Sequence, residues 1–385
     1  MFTIGVPRER KDREGRVGMT PEGVREVLMI DAGIKVFIEQ GAGVLAGFTD
    51  QEYADAGAVI TSEPQQIYGG ADLVVKIKEP IPQEYALLKL MCGKTLFTYL
   101  HLAGVDAMLT ETLLRDRVNA IAYENVEQVL NEHRFFPLLV PMSKIAGTQS
   151  MRQALLRTPN AHTVVIGGGV VGEAALLEAI AKNAASVVVF EMRKERINEL
   201  RTSYASRKKS KDTKVSVLSM ETMQSSRGRA ILAHADAVVS GVMNPGGSEA
   251  PKVLTVKEFA LMKRGCYIVD VAIDQGGSTE WSRSTHPGET FEREGLIFSC
   301  VANIPGATVP REATLALTNA TLPYVKLFAV YAKRYKHLPE WWVLKNHHDM
   351  RLGLQTWKGF LVNRFVSMKH SITSVYKPLD SFFEL

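Results

Sequence analysis

The sequence predicts an α/β protein of two Rossmann-like domains, each built on a mostly parallel sheet, with a cleft between them. Short apolar runs alternate with helix-like segments, the pattern of parallel βαβ units. The runs fall into two series, which calls for two sheets. The chain has 385 residues and 46% hydrophobic content, enough for two cores, since single cores stop growing at roughly 250–300 residues.

The first series opens with TIGV at 3–6. Thr20-Pro21-Glu22-Gly23 then starts a helix, with Thr20 as N-cap and Pro21 at the first helical position. KVFIEQ (35–40), DLVVKI (72–77), KTLFTYL (94–100) and NAIAYENV (119–126) follow as strands. HTVVIGGG (162–169) begins the second series, which continues with SVVVFE (186–191), ADAVVSGV (235–242), CYIVDVAI (266–273) and LIFSCVAN (296–303). Apolar residues dominate from Ala313 to Val330, consistent with a buried helix returning to the first core. The expected division is a discontinuous substrate domain, 1–137 with 307–385, and an inserted nucleotide domain, 138–306.

Val164-Val165-Ile166 ends a strand, and Gly167-Gly168-Gly169-Val170-Val171-Gly172 fits G-x-G-x-x-G before a helix-like run. Glycines there allow a tight turn, close approach of N–H groups to a pyrophosphate, and close helix–strand packing. Glu191 stands nineteen residues beyond Gly172, at the end of the next strand. That position suits a carboxylate accepting from the ribose hydroxyls, and it favours NAD over NADP. Arg193, Lys194 and Arg196 follow closely and would suit a phosphate.

The first series carries polar residues at its strand ends. Lys76 and Lys78 share a face if their strand is regular. His101 follows an apolar strand, Asp274 closes another, and Arg16 precedes the Thr20 helix. Ligands of open α/β sheets gather at the carboxyl ends of strands. Each residue also has a plain structural reading: an ion pair for Arg16, a solvated lysine for Lys78, a hydrogen-bonded core histidine for His101, a turn cap for Asp274. Residue chemistry alone points to a nucleotide-dependent oxidoreductase.

Other classes find little support. Cys92, Cys266 and Cys300 are odd in number and lie in apolar stretches that read as buried strands or their edges. A reducing cytoplasm fits them better than a disulfide framework. The N-terminus does not read as a secretory signal, and no apolar run of about 18 residues is present to span a membrane. Between Lys326 and Lys377 ten Lys/Arg face two acids, Glu340 and Asp349. This reads as a solvated helix face with Trp341, Trp342, Trp357 and Phe360 packed inward, rather than a nucleic-acid surface. The run Arg207-Lys208-Lys209-Ser210-Lys211 reads as a surface loop. Nothing calls for a metal.

RVGMTPEGV (16–24), LVVKIKEP (73–80), LFTYLHLA (96–103), AIAYENV (120–126), PLLVPMSKIAG (137–147), IVDVAIDQGG (268–277), CVANIPGA (300–307) and LALTNATLPY (315–324) resemble, in order, the blocks of the alanine dehydrogenase family. Transhydrogenase nucleotide-binding components are relatives. The resemblance implies reversible, NAD-dependent oxidative deamination by a homo-oligomer. By the same resemblance Arg16 would hold the substrate carboxylate, Lys78 the carboxylate and the 2-oxo oxygen, and His101 would shuttle protons. Asp274 would orient water or ammonia at the cofactor. Tyr99, Leu139 and Met142 would surround the substrate side chain. Ser143, Val242, Ile273 and Asn303 would line the cofactor site with Gly167, Gly169, Gly172, Glu191 and Arg196.

The sequence departs from the family pattern in four places. Only sixteen residues separate Gly147 from Val164, fewer than in the family. Thr308 or a neighbour is an extra residue, Glu191 replaces an aspartate, and the basic run near Arg207 is an insertion. Two other readings therefore stand beside alanine dehydrogenase. One is a dehydrogenase of another small amino acid or imine; the other is a nucleotide-binding paralogue without turnover.

Overall fold

The computed structural model describes the chain except residues 131–132, 207–212, 244–248, 336–338 and 384–385. The basic run at 207–211 and Lys336 therefore lie outside the described residues. Two compact units form, one of Met1–Pro141 with Val309–Leu385, the other of Met142–Thr308.

In the first unit the strands β1 (Phe2–Val6), β2 (Ile34–Glu39), β3 (Val59–Thr61), β4 (Leu73–Val75), β5 (Thr95–Thr98) and β6 (Asn119–Ala122) come first, followed by a hairpin of β7 (Gln128–Leu130) and β8 (His133–Phe135). The second unit holds β9 (His162–Ile166), β10 (Ser186–Glu191), β11 (Lys214–Ser219), β12 (Ala237–Ser240), β13 (Tyr267–Asp270), β14 (Phe291–Arg293) and β15 (Leu296–Ser299). The chain then returns to the first unit with β16 (Leu354–Trp357) and β17 (Phe360–Leu361).

The first sheet runs β17-β16-β6-β5-β4-β1-β2-β3, parallel from β6 through β3 and antiparallel only at β16 and β17. The second runs β11-β10-β9-β12-β13-β15-β14, antiparallel only at β14. Each thus contains the doubly wound order 3-2-1-4-5-6, whose topological switch lies between its first and fourth strands. β1 is buried throughout and β9 over its last four residues, as expected for strands covered on both faces.

Thr20 caps the helix Pro21–Leu28, its hydroxyl accepting from the Gly23 N–H at 3.1 Å, with Pro21 at the first helical position. The long helix Pro310–Tyr335 buries Ala313, Leu317, Leu322, Val325 and Phe328. It is tied to the first unit by Thr314 Oγ1, which accepts from the Val17 N–H at 3.2 Å, and by a Lys326–Glu26 ion pair.

Several expectations need correction. The strand of DLVVKI stops at Val75, so Lys76 and Lys78 lie on the turn beyond it. The strand of CYIVDVAI stops at Asp270, and Asp274 sits in the 3₁₀ turn Val271–Gln275. Asp270 forces that ending: its carboxylate accepts from the N–H groups of Ala272, Ser278 and Thr279, which folds the chain back. Cys92 is exposed, whereas Cys266 and Cys300 are buried. The basic C-terminal stretch is not one helix face, since helices Pro339–Asn346 and His348–Leu352 lead into β16 and β17. Of its aromatics Trp357 is buried, but Trp341, Trp342 and Phe360 are only half-buried. No described helix is long and apolar enough to cross a membrane.

Candidate active site and nucleotide turn

The carboxyl ends of the first sheet collect an unusual density of charge. The segment after β1 carries Glu9, Arg10, Lys11, Glu14 and Arg16. Lys76, Lys78 and Glu79 follow β4, Tyr99 and His101 follow β5, and Glu124 follows β6. Glu14, Arg16, Lys76, Lys78 and Glu79 are buried, as is the carboxylate side chain of Glu9. Burial of charges is expensive unless each is paired, and here the pairing is extensive. Lys76 donates to Glu9 at 2.8 Å and lies 3.3 Å from Glu84, which also accepts from the Tyr68 hydroxyl at 2.8 Å. Burial works against the Lys76 ammonium, but Glu9 and Glu84 raise its pKa above the ordinary lysine value. Glu9 itself is pushed above the usual carboxylate range by burial, despite Lys76.

Arg16 is 3% exposed. Its Nε donates to Glu14 Oε1 at 2.7 Å and its Nη2 to Oε2 at 2.5 Å. Burial raises the Glu14 pKa, but Arg16 outweighs it and holds the carboxyl below its ordinary value. Lys78 is anchored through its backbone: its N–H donates to Glu9 at 3.3 Å, beside the Ile77 N–H at 2.7 Å, and its carbonyl accepts from Thr98. Among the described residues its ammonium has no hydrogen-bond partner. Tyr99 is buried, donates its hydroxyl to the Leu138 carbonyl at 2.5 Å, and stacks on His101 at 5.6 Å. Burial pushes the Tyr99 hydroxyl up, keeping it neutral. His101 has φ of +46° and a side chain 38% exposed. Leu139 stands half-buried beside the carbonyl that holds Tyr99.

The second sheet assembles its own set at its carboxyl ends. Gly167 follows β9 with φ of +90°, a conformation that favours glycine. A Cβ on Gly172 would lie 1.8 Å from the Gly167 carbonyl oxygen, and one on Gly168 only 3.0 Å from Glu191. Gly169 is the N-cap of the helix Val170–Ala181 and offers no side-chain cap. The first N–H groups of that helix are therefore left for an anion, which fits a dinucleotide pyrophosphate. Glu191 ends β10 and braces the turn, accepting from the N–H groups of Gly168 (2.8 Å), Met192 (3.0 Å) and Arg193 (2.9 Å). Burial raises its pKa, but the Arg193 and Gly168 N–H groups outweigh it. Arg196 bonds the Gly168 carbonyl at 2.8 Å and pairs with Glu173 and Glu199. Val242 follows β12 and Ile273 and Asp274 follow β13, where Asp274 accepts from the Asn303 N–H at 3.3 Å. Met142 and Ser143 lie at the start of this unit, Met142 buried and Ser143 half-buried.

The carboxylates Glu9, Glu14, Glu79, Glu84 and Glu124 were not read from the sequence as site residues. Their signal was faint: acids just past or between apolar strands, where a surface acid reads the same.

Two family descriptions match the chain. The N-terminal domain of the alanine dehydrogenase/PNT family covers residues 5–146, and its C-terminal domain covers residues 142–364. An alanine dehydrogenase of Staphylococcus haemolyticus is 36% identical, over 94% of this chain and 95% of that protein. An alanine dehydrogenase of Methanococcus maripaludis is 37% identical, over 98% of each. A solved L-alanine dehydrogenase superposes with a TM-score of 0.81 at 36% identity, covering 96% of this chain and 99% of that one. A transhydrogenase from Sinorhizobium meliloti shares the fold with a TM-score of 0.75 at 20% identity. The chain belongs to the alanine dehydrogenase/pyridine nucleotide transhydrogenase family.

Proposed function

We propose that this protein is an NAD-dependent alanine dehydrogenase. It converts alanine, NAD⁺ and water into pyruvate, ammonium, NADH and a proton, reversibly. The observation that carries the reading is the gathering of Arg16, Lys78, Tyr99 and His101 at the carboxyl ends of one parallel sheet.

The chemistry of each residue suits one part of the reaction. Arg16, its plane fixed by Glu14, binds the substrate carboxylate, for which a guanidinium is the best matched cation. Lys78 supports the oxygen at C2 as charge develops there, and preorganisation by the Glu9-held backbone makes that support effective. His101 takes a proton from the water that adds to the iminium to form the carbinolamine, and returns it to the nitrogen as the C=O forms and ammonium leaves, a task suited to imidazole. Asp274 orients water or ammonia. The bulk of Tyr99, Leu139 and Met142 suits a methyl-sized substrate side chain.

NAD, when bound, supplies the hydride acceptor or donor. Gly167, Gly169 and Gly172 would hold its pyrophosphate, and Glu191 and Arg196 its adenosine end. Ser143, Val242, Ile273, Asp274 and Asn303 would hold the remainder. Glu191 already accepts from three backbone N–H groups and from the Arg193 guanidinium, three of these four donors falling on Oε1, so a ribose hydroxyl would share Oε2 with the Gly168 N–H. A homo-oligomer belongs to the same proposal. Turnover of NADH with pyruvate and ammonium tests it.

A further inference from the structure

We infer that Glu79 is the positioning residue of His101, fixing the orientation and tautomer of its ring. The inference rests on the alanine dehydrogenase reading for the role of His101, but not for the contact itself.

Glu79 directly follows Lys78 and is 5% exposed. Its Oε1 pairs with the Lys11 ammonium. Its Oε2 is buried and has no hydrogen-bond partner among the described residues. A buried carboxylate oxygen without a donor is costly. His101 Nδ1 lies 3.6 Å from that oxygen. This is an ion-pair distance, a few tenths of an ångström beyond a hydrogen bond. A small turn of the half-exposed ring would close the gap and satisfy the oxygen.

The remaining freedom of His101 is already restricted. Its left-handed backbone is uncommon for a residue with a side chain. The Glu124 carboxylate holds it by accepting from the Leu100 N–H at 3.2 Å and the His101 N–H at 2.5 Å. Tyr99 stacks on one face of the ring, with an interplanar angle of 22°. Glu124 thus fixes the main chain and Tyr99 the ring plane, while Glu79 selects which nitrogen carries the resting proton. With Nδ1–H directed at Glu79, Nε2 keeps its lone pair and receives the substrate proton. The resulting imidazolium then lies beside a carboxylate, the logic by which a buried acid supports a catalytic histidine.

The charges around the pair agree with this assignment. Lys11 and Lys78 act on Glu79 from the segments after β1 and β4, Tyr85 lies near it, and Tyr99 and Glu124 adjoin His101. Burial raises the Glu79 carboxyl, but the imidazole, Lys78 and Lys11 together hold it well below the usual range. It is therefore an anion throughout the neutral range.

The test is an NMR titration of the imidazole C–H signals, with His101 assigned by comparison with His101→Gln. The protein is used without substrate, as wild type, Glu79→Gln and Glu79→Asp. Glu79→Gln keeps the size of the side chain and removes its charge. The midpoint of the His101 signal should move to lower pH by roughly one unit or more, the usual effect of losing an opposite charge at this range. In the same variant the acidic limb of kcat/KM for alanine should move to lower pH, and kcat at neutral pH should fall at least about tenfold. Glu79→Asp keeps the charge and should leave the midpoint near that of the wild type, which keeps the inference testable if Glu79→Gln folds poorly. An unmoved midpoint in folded Glu79→Gln overturns the inference. Because the titration needs no turnover, a shifted midpoint in a protein without dehydrogenase activity would support the contact while contradicting the proposed function.

Discussion

Glu14 grips Arg16 along one edge of its guanidinium, with Nε and Nη2 donating to the two carboxylate oxygens at 2.7 and 2.5 Å. The Arg16 N–H also donates to Glu14 Oε1 at 2.9 Å, so backbone and side chain are fixed by one acid. Such a cation is pre-organised for a planar anion. Arg16→Lys should therefore raise KM for alanine roughly 10- to 100-fold, the effect of losing a charge-assisted bidentate contact of about 1.5–3 kcal/mol. Initial-rate kinetics at saturating NAD⁺ check this; an unchanged KM would remove Arg16 from the substrate.

Lys78→Ala and His101→Ala should each reduce kcat by roughly 10²–10⁴-fold. Neither should change NADH affinity appreciably, because neither belongs to the glycine turn. Fluorescence titration of NADH on each folded variant, alongside its turnover, separates the two effects. Near-normal rates in both variants would show that the chemistry lies elsewhere.

Much of this site was legible in the sequence. The alternation of strands and helices gave both doubly wound sheets, and the strand-end rule pointed to Lys78, His101 and Asp274, although Lys78 and Asp274 lie on turns beyond their strands and Arg16 was read only as preceding the Thr20 helix. Two features escaped. Lys76 and Lys78 looked equivalent at a spacing of two, yet the strand ends at Val75 and Lys76 is wholly buried between Glu9 and Glu84. That ion pairing joins residues 67 positions apart, and no local pattern announces it. Glu79 and Glu124 were hidden for the same reason: their meaning comes from His101, which reaches them only through the fold.

The cofactor turn makes its own prediction. NADH should bind more tightly than NADPH, and Glu191→Ala should narrow the difference. The variant should also loosen the turn, since Glu191 holds the Gly168 N–H. Gly172→Ala should abolish NADH binding or destabilise the protein, because its Cβ would lie 1.8 Å from a main-chain oxygen. Equal wild-type affinities for NADH and NADPH would count against Glu191 as the discriminating residue.

Acid should weaken the first unit in a defined way. Glu14 and Glu79 both have lowered pKa values in the folded protein. Each contributes stability that is present above the unfolded carboxylate value of about 4.3 and is lost as pH falls through the folded value. Glu9 has the opposite sign. Its raised value gives a contribution that is full below about 4.3 and lost as pH rises through the folded value. Thermal melts from pH 7 to pH 3 should show Glu14→Gln less stable than wild type at neutral pH, with the gap closing in acid. A gap that widened towards acid would show the sign to be wrong.

The most direct test is the reaction itself. Absorbance of NADH is followed with pyruvate and ammonium, and with glyoxylate and larger 2-oxo acids in parallel. Rapid, ammonium-dependent oxidation of NADH is expected, with pyruvate preferred, and formation of NADH from alanine and NAD⁺ in reverse. Preference for a larger 2-oxo acid, or no turnover by folded protein that binds NADH, would contradict it.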